Sequence, residues 1–178
     1  MARTSDTDIL KAIRTDPEVG FHSLMSLYNE PVYWHIRRLV AIHQDAQDAT
    51  QETFIRVFRN LDKFRGQSSL KAWIYRIATN EALRVLSNRR GTEVSLDSES
   101  IPEPAADEEM DYSDLEAVRL SRAIAALPPR QQAVFNMRYY DEMSYDDIAR
   151  ALNSTTASAK VNYHLAKERI IKQLELKN

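Results

Sequence analysis

The 178-residue sequence contains no cysteine, only three glycines and no long apolar run. Without cysteine, disulfides, thiol nucleophiles and thiolate metal sites are excluded. The glycines Gly20, Gly66 and Gly91 lie too far apart for a glycine-rich loop that cradles phosphates. No apolar segment approaches the length that spans a bilayer, and residues 1–15 lack the pattern of a signal peptide. We therefore expect a cytoplasmic protein that does not insert into a membrane.

Enzyme chemistry is also missing from the pattern of polar residues. The four histidines show no paired-ligand spacing, and no nucleophile elbow or isolated carboxylate pair stands out. We expect no bound metal, no cofactor and no enzymatic activity.

The acidic and basic residues are segregated along the chain. Residues 91–118 hold ten Asp and Glu residues and no Lys or Arg, which leaves 16 acids against 24 bases elsewhere. An acidic segment between two basic modules is typical of nucleic-acid-binding proteins. A linker that only improves solubility is the alternative.

Helical periodicity predicts an all-α protein. Pro31 interrupts the second helical pattern, so we expect that helix to be kinked or divided, and Asp45 is predicted to cap the third helix. Ser68 or Ser69 is predicted to cap the fourth helix. The predicted helices of the first half cover residues 5–14, 17–42 and 46–60 and the stretch from Ser68 or Ser69 to residue 90.

The third predicted helix has two different faces. The side chains expected to pack inward are those of Phe54, Val57, Phe58 and Leu61. The opposite face carries Asp48, Gln51, Glu52, Arg56 and Arg59. Such a charged face is either solvated or a docking surface for a charged partner helix.

The fourth predicted helix combines aromatic rings, cations and an amide. Its buried stripe is predicted to contain Leu70, Ile74, Ile77, Ala78 and Val85. An adjacent face carries Trp73, Arg76, Asn80 and Arg84, with Lys71 and Tyr75 on the flank beyond the stripe. Because rings stack on bases, cations hold phosphates and Asn pairs with base edges, this face suits single-stranded nucleic acid. The alternative is an amphipathic helix with Trp73 in the core and a solvated basic face.

The second half begins with a predicted linker. Residues 92–112 lack periodicity and are rich in acids, Ser and Pro, so we expect disorder in the free protein. Ser113 and Glu116 form a capping box, and Pro128-Pro129 separates two further helices. In the second of these, we expect Val134, Met137 and Tyr140 to face inward.

The last 35 residues have the pattern of a helix-turn-helix. Ser144 is predicted to cap a short helix, Asn153 is predicted to take a left-handed conformation in the turn, and residues 157–174 form a longer helix. Its first turns, where a recognition helix meets base edges, carry Ser158, Lys160, Val161, Asn162 and His164. Lys167 and Arg169 follow as candidate phosphate contacts.

Taken together, these stretches resemble the extracytoplasmic-function (ECF) sigma factors of bacterial RNA polymerase over nearly the full length. Residues 45–59 look like the family's region 2.2, which docks on the clamp helices of the largest polymerase subunit. By that resemblance, the polymerase contacts would be Asp48, Gln51, Glu52, Phe54, Arg56 and Phe58.

Two further stretches carry the resemblance to promoter-reading regions. Residues 64–80 are similar to regions 2.3 and 2.4, which open and read the −10 element. Residues 127–131 and 144–149 resemble region 4, which reads the −35 element. The resemblance implies −10 contacts from Arg65, Lys71, Trp73, Tyr75, Arg76, Asn80 and Arg84, and −35 contacts from Ser158, Lys160, Val161, Asn162, His164 and Lys167.

The resemblance also implies a domain organisation and a set of partners. Region 2 would occupy residues 1–91, an acidic linker residues 92–112, and region 4 residues 113–178. The partners would be core RNA polymerase (clamp helices and flap), promoter DNA as duplex and as single non-template strand, and an anti-sigma factor. Such an anti-sigma factor would hold the protein at the inner membrane.

The sequence departs from the family at the recognition helix. Many members have Gly-Thr-Val-Lys-Ser-Arg where this chain has residues 157–162, and Leu165 stands where an arginine is frequent. We therefore make no prediction of the base sequence of the −35 element that this protein would read. The alternatives to a sigma factor are a helix-turn-helix regulator that does not act as a polymerase subunit, and an interaction adaptor that does not touch DNA.

Overall fold

The computed structural model describes residues 4–98 and 114–176, and these residues are helical, without a strand. The predicted all-α class is confirmed. The helices are α1 Asp6–Thr15, α2 Pro17–Leu39, α3 His43–Asn60, a 3₁₀ turn Leu61–Lys63, α4 Leu70–Arg90, α5 Leu115–Ala125, α6 Pro129–Tyr139, α7 Tyr145–Ala151 and α8 Thr156–Glu175. We call residues 4–98 the N-terminal module and residues 114–176 the C-terminal module.

Helices α1 and α2 approach each other closely. Ser5 caps α1 in a capping box with Asp8. A Cβ at Gly20 in α2 would collide with the backbone of Ile13, so only glycine permits this approach. The hydroxyl of Tyr28 donates to Asp6 over 2.6 Å and ties the two helices together at a second point.

Pro31 does not divide α2, which runs continuously from Pro17 to Leu39. The ring lies on the exposed side of the helix. Val32, Ile36 and the preceding Leu24 are fully buried, so the helix packs on the core on both sides of the proline. This burial offsets the missing backbone hydrogen bond.

Two details of α3 differ from the prediction. Asp45 does not cap it, since the helix begins at His43, and the Asp45 carboxylate instead contacts the guanidinium of Arg89. Phe58 does not pack inward, because its side chain is 53% exposed, and its ring meets that of Phe21 in a T-shaped contact with centroids 5.0 Å apart. Phe54 and Val57 are buried as expected.

Helix α4 begins at a Ser69 cap and ends at Gly91, whose φ of 65° is left-handed. The chain then folds back, contrary to the predicted disorder of the whole linker. Val94 is 7% exposed, and its N–H donates to the hydroxyl of Ser87 over 2.8 Å. Residues 99–112 of the predicted linker lie outside the described residues.

The C-terminal module is a helical bundle that ends in the helix-turn-helix. Asp114 caps α5, and the Ser113 of the predicted capping box lies outside the described residues. Ser144 caps α7 and Asn153 has a φ of 50°, both as predicted. Tyr140 is 39% exposed rather than inward-facing. The apolar core of the bundle consists of Ala123, Ile124, Leu127, Phe135, Ala166 and Ile170.

The two modules pack against each other, an arrangement that the sequence left open. Helix α7 contacts α4, and α6 contacts α2. One continuous apolar cluster contains Ile74 and Ala78 of the N-terminal module together with Met143 and Ile148 of the C-terminal module. We call this arrangement, in which the two described modules share one apolar cluster, the closed arrangement.

Candidate functional site

An open apolar groove runs between α2 and α3. Its volume is about 1130 Å³. Its lining contains large aromatic side chains that are exposed to solvent, including Trp34 at 48% and Phe58 at 53%. The lining residues are Phe21, Met25, Asn29, Tyr33, Trp34, His43, Gln47, Thr50, Gln51, Phe54, Ile55, Phe58 and Arg59. Exposed aromatic surface of this kind is typical of a site for a protein partner.

The groove unites only part of the polymerase contacts expected from the sequence. Gln51, Phe54 and Phe58 line it. Asp48 is exposed on α3 and accepts a hydrogen bond from Gln44 over 3.1 Å. The wall contributed by α2, with Phe21, Tyr33 and Trp34, was not predicted, because helical periodicity does not show which exposed aromatic residues line a groove.

Arg56 turns away from the groove and joins a chain of ion pairs. Its Nε lies 3.1 Å from Glu52 and 2.6 Å from Glu81 of α4. Glu81 is 4% exposed and also binds Arg84 over 2.6 Å. These contacts link the outer face of α3 to the predicted DNA face of α4.

The predicted DNA face of α4 lies beside a smaller pocket of about 370 Å³. Trp73, Ile77 and Asn80 line one side of this pocket, and Arg56 and Lys63 line the other. The Trp73 ring is half-buried against Phe64, with ring centroids 5.2 Å apart. Arg76, Asn80 and Arg84 are exposed, so rings, cations and an amide share one accessible surface, as the sequence predicted.

Tyr75, predicted on the flank beyond the buried stripe and as a −10 contact, is not accessible. Its side chain is fully buried, and its hydroxyl donates to Asp141 of the C-terminal module over 3.1 Å. Burial raises the pKa of Tyr75, and the nearby Asp141 carboxylate raises it further, so the hydroxyl keeps its proton. Lys71 Nζ likewise donates to the carbonyl oxygen of Asp141 over 2.7 Å.

Arg65 lies in a third pocket, of about 410 Å³, that both modules form. The N-terminal module contributes Lys63, Arg65 and Arg76, and the C-terminal module contributes Arg150 and Asn153. The cations from both modules give this pocket a positive lining.

The first turns of α8, where base contacts were predicted, carry several exposed side chains. Thr155 caps the helix, Lys160 is exposed, and Val161 is 57% exposed. Lys160 and Lys167 lie over the rings of Tyr145 and Tyr163 at 5.9 and 4.8 Å from the ring centroids.

Three other candidate side chains on α8 have partners on their own helix. The Asn162 amide donates to the carbonyl and hydroxyl oxygens of Ser158, over 2.9 and 3.2 Å. His164 lies 3.3 Å from Glu168.

Residues 4–98 and 114–176 contain no cluster of three or more His, Asp or Glu side chains that would hold a metal ion. None of the helices in these ranges is long and apolar enough to cross a bilayer.

Two family models match this chain. Sigma-70 region 2 matches residues 24–92, and Sigma-70 region 4 matches residues 117–170. The chain is an ECF sigma factor of the sigma-70 family.

Similar curated proteins agree with this assignment over nearly their whole length. The ECF RNA polymerase sigma factor SigW of Bacillus subtilis is 26% identical, covering 93% of this chain and 94% of the relative. The RNA polymerase sigma-H factor of Pseudomonas aeruginosa is 28% identical, covering 98% and 96%. The sigma-E factor of Escherichia coli K12 is 28% identical, covering 93% and 92%.

Solved structures show the same fold. CnrH, determined in complex with the cytosolic domain of CnrY, superposes with a TM-score of 0.73 at 17% identity and covers 97% of this chain and 99% of that one. The sigma factor RpoE of Bartonella quintana, in complex with the anti-sigma factor NepR, gives a TM-score of 0.70 at 23% identity, with coverage of 89% and 98%.

These matches establish the function at the level of the family. The sigma factor binds core RNA polymerase and directs promoter-specific initiation, and it is not an enzyme. A helix-turn-helix regulator that acts without polymerase is not favoured.

Proposed function

We propose that the surfaces described above divide the work of initiation between the two modules. Region 2, over residues 1–91, docks on core polymerase through the groove between α2 and α3 and captures unpaired −10 bases on the α4 face. Region 4, over residues 113–178, reads the −35 duplex with α8. Residues 92–112 connect the two.

The observation that carries this proposal is the separation of surfaces on the N-terminal module. The α2–α3 groove is apolar and rimmed by exposed Phe58, Trp34 and Gln51, which suits the side chains of a helical protein partner. The α4 face combines Trp73 with Arg76 and Asn80, which suits bases and phosphates. Polymerase and single-stranded DNA can therefore bind at the same time.

Of the sequence-predicted polymerase contacts, we retain Gln51, Phe54 and Phe58 in the groove and Asp48 on its exposed flank. Glu52 and Arg56 have another role in this proposal. They orient Glu81 and Arg84 from the α3 side.

We also propose that an anti-sigma factor competes with polymerase for this sigma factor and holds it at the inner membrane until it is released into the cytoplasm. The similar folds of CnrH and RpoE, each solved with a partner of that kind or with a partner's cytosolic domain, support this proposal. Fractionation of cells before and after an inducing stress tests it, because the sigma factor should move from the membrane pellet to the supernatant.

Run-off transcription is the direct test of the proposed surfaces. Purified core polymerase is combined with the sigma factor on sheared genomic DNA, and the 5′ ends of the RNA are sequenced. We expect discrete start sites that share two upstream elements. Binding to core polymerase without start sites would contradict the proposed DNA surfaces, and the absence of both would contradict the docking groove as well.

A matched pair of variants separates docking from folding. Phe58→Ala removes an exposed ring of the groove. Val19→Ala truncates a side chain of α2 that is 57% exposed and does not line the groove. We expect Phe58→Ala to weaken core-polymerase binding by tenfold or more, as truncation of an aromatic hot-spot residue does, and Val19→Ala to leave binding unchanged. Equal binding by both variants would place the polymerase contact elsewhere.

A further inference from the structure

Helix α8 turns apolar side chains outward in the turns where base contacts are expected. Val161 is 57% exposed and Leu165 is 37% exposed. Because the two residues are four apart in the sequence, they are neighbours on one face of the helix. The residues that fix α8 in the bundle are buried on another side of it, namely Ala159, Ala166 and Ile170. We call Val161 and Leu165 the apolar pair, and it stays exposed in the closed arrangement.

The polar side chains beside the apolar pair are bound within α8. The Asn162 amide donates to the carbonyl and hydroxyl oxygens of Ser158, over 2.9 and 3.2 Å. Nε2 of His164 lies 3.3 Å from the carboxylate of Glu168. These contacts would have to break before the Asn162 NH₂ group or the His164 ring could donate to a base edge. The apolar pair has no hydrogen bond to give up, so it can meet a base edge without that cost.

Cations lie on both sides of the apolar pair. With 3.6 residues per turn, Lys160 and Lys167 fall on one side of it and Arg169 on the other, and all three are exposed. The two lysine Nζ atoms lie over the rings of Tyr145 and Tyr163, at 5.9 and 4.8 Å from the ring centroids. An apolar face between cations matches the major groove, where base edges lie between two phosphate backbones.

The chemistry of the base edges decides what such a face can read. In the major groove every base presents hydrogen-bonding groups, and thymine also presents its C5 methyl group. Valine and leucine side chains neither donate nor accept hydrogen bonds, but they gain free energy by burying a methyl group. A polar base edge covered by them would lose its water without gaining a partner, which is unfavourable. The face therefore favours thymine over the other three bases.

We propose that the apolar pair is a specificity-determining element of this sigma factor, which reads thymine C5 methyl groups at A·T pairs of the −35 duplex. This inference rests on the proposed reading of that duplex by α8. It predicts that binding depends on a methyl group, and not on a hydrogen bond, at these pairs. It also gives a physical sense to Leu165 at a position where an arginine is frequent in the family, since arginine suits guanine and leucine suits thymine.

The first test removes the methyl group from the DNA. Promoters found by run-off sequencing with the wild-type protein are remade with deoxyuridine in place of each thymine of the −35 element, one position at a time. Deoxyuridine keeps the base pair and the O4 acceptor and lacks only the methyl group. Fluorescence anisotropy then measures binding of the holoenzyme to each duplex.

We expect holoenzyme affinity to fall about fourfold at the thymines that face the apolar pair, the effect of no longer burying one methyl group. Deoxyuridine at thymines upstream of the element is the control and should leave binding unchanged. The proposal is overturned if no thymine of the element shows a loss, or if the element contains no A·T pair.

Matched variants assign the methyl contact to the apolar pair. Val161→Ala and Leu165→Ala truncate exposed side chains and raise helix propensity, so a loss of binding would not come from unfolding. Ile171→Ala is the control, because Ile171 is 55% exposed on α8 but lies beyond its first turns. We expect each variant of the apolar pair to become insensitive to deoxyuridine at one thymine, and Ile171→Ala to respond as the wild type does. If all three variants respond as the wild type does, another residue makes the methyl contact and the proposal fails.

A second pair of variants tests for a change of base preference. Leu165→Arg introduces a guanidinium that can bind guanine O6 and N7, and Ile171→Arg introduces the same charge further along α8. Each variant adds one positive charge, which strengthens phosphate binding whatever the base sequence. We expect run-off sequencing to show a G·C pair in place of an A·T pair of the −35 element with Leu165→Arg only. The same −35 element for both variants contradicts the proposal at Leu165.

The wild-type promoters separate failure of this inference from failure of the proposed function. If the wild-type holoenzyme gives discrete start sites with a shared −35 element, and neither deoxyuridine nor truncation of the apolar pair changes binding, only the methyl contact is wrong. If the wild-type holoenzyme gives no start sites, the proposed function fails and this inference fails with it.

Discussion

At the scale of single residues, Gly20 shows how one side chain, or its absence, sets the distance between two helices. Alanine is the better helix former by about 1 kcal/mol, so propensity alone favours a Gly20→Ala substitution. The added Cβ would nevertheless meet the backbone of Ile13, which cannot move as a flexible side chain can.

We therefore expect Gly20→Ala to lower the free energy of unfolding by about 2–3 kcal/mol, the cost of overpacking a close contact. Urea denaturation followed by circular dichroism measures this value. Unchanged or increased stability would show that α1 does not pack on α2 as closely as described.

Glu81 is the second residue whose role depends on its surroundings. It is almost fully buried and binds Arg56 and Arg84, whose side chains are 47% and 49% exposed. When the carboxylate is removed, these half-exposed arginines return to water, so the loss should be smaller than for a fully buried pair.

We expect Glu81→Gln to destabilise the protein by about 1–2 kcal/mol and Glu30→Gln, at an exposed position of α2, to have little effect. Thermal denaturation of the two variants beside the wild type measures the difference. A loss equal to that of Glu30→Gln would mean that the ion pairs of Glu81 with Arg56 and Arg84 add no stability to the protein.

At the scale of helices, sequence patterns predicted most of the features that depend on interactions within a few residues. The caps at Ser69 and Ser144 and the left-handed Asn153 follow from hydrogen bonding and backbone sterics within a few residues. Asp45 failed as a cap because the helix already begins at His43, and its carboxylate binds Arg89, 44 residues away in sequence. Phe58 failed as a core residue because periodicity does not tell a groove wall from an interior.

The α4 face allows a matched test on one helix. Asn80 lies in the pocket beside Trp73, while Asn88 is an exposed asparagine two turns further along. Because a base edge bound to an amide loses both hydrogen bonds when the amide is removed, we expect Asn80→Ala to weaken promoter opening by roughly 1–3 kcal/mol.

Asn88→Ala is the control and should open the promoter as the wild type does. Permanganate reactivity of unpaired thymines, measured with holoenzyme on a promoter found by run-off sequencing, reports opening directly. If both variants reduce reactivity equally, the effect belongs to the helix as a whole and not to a base contact at Asn80.

At the scale of the whole molecule, the arrangement of the modules could not be predicted from the sequence. Asp141 carries no motif, and its significance arises only when α2, α4 and the α6–α7 turn meet. Tyr75 was predicted on the flank beyond the buried stripe for the same reason, since Asp141, which accepts the hydrogen bond of its hydroxyl, lies 66 residues further along the chain. Helical periodicity indicates which face of a helix packs within its own module. It does not indicate that a second face, here that of α4, packs against the other module.

The shared apolar cluster has a thermodynamic consequence. Ile74 and Ala78 on one side and Met143 and Ile148 on the other lose their burial together when the modules part. We therefore expect the wild-type chain to unfold in one calorimetric transition whose van't Hoff and calorimetric enthalpies agree.

A variant at the interface tests this coupling. Asp141→Lys replaces the carboxylate that contacts Tyr75 and Arg38 with an ammonium group and so opposes packing of the modules. Each module then loses the stabilisation it draws from the other, and the transition should broaden or split into two. Glu142→Lys, with the same charge change outside the interface, should keep the single transition. Two separate transitions in the wild type would mean that the modules fold independently and that the interface adds no stability.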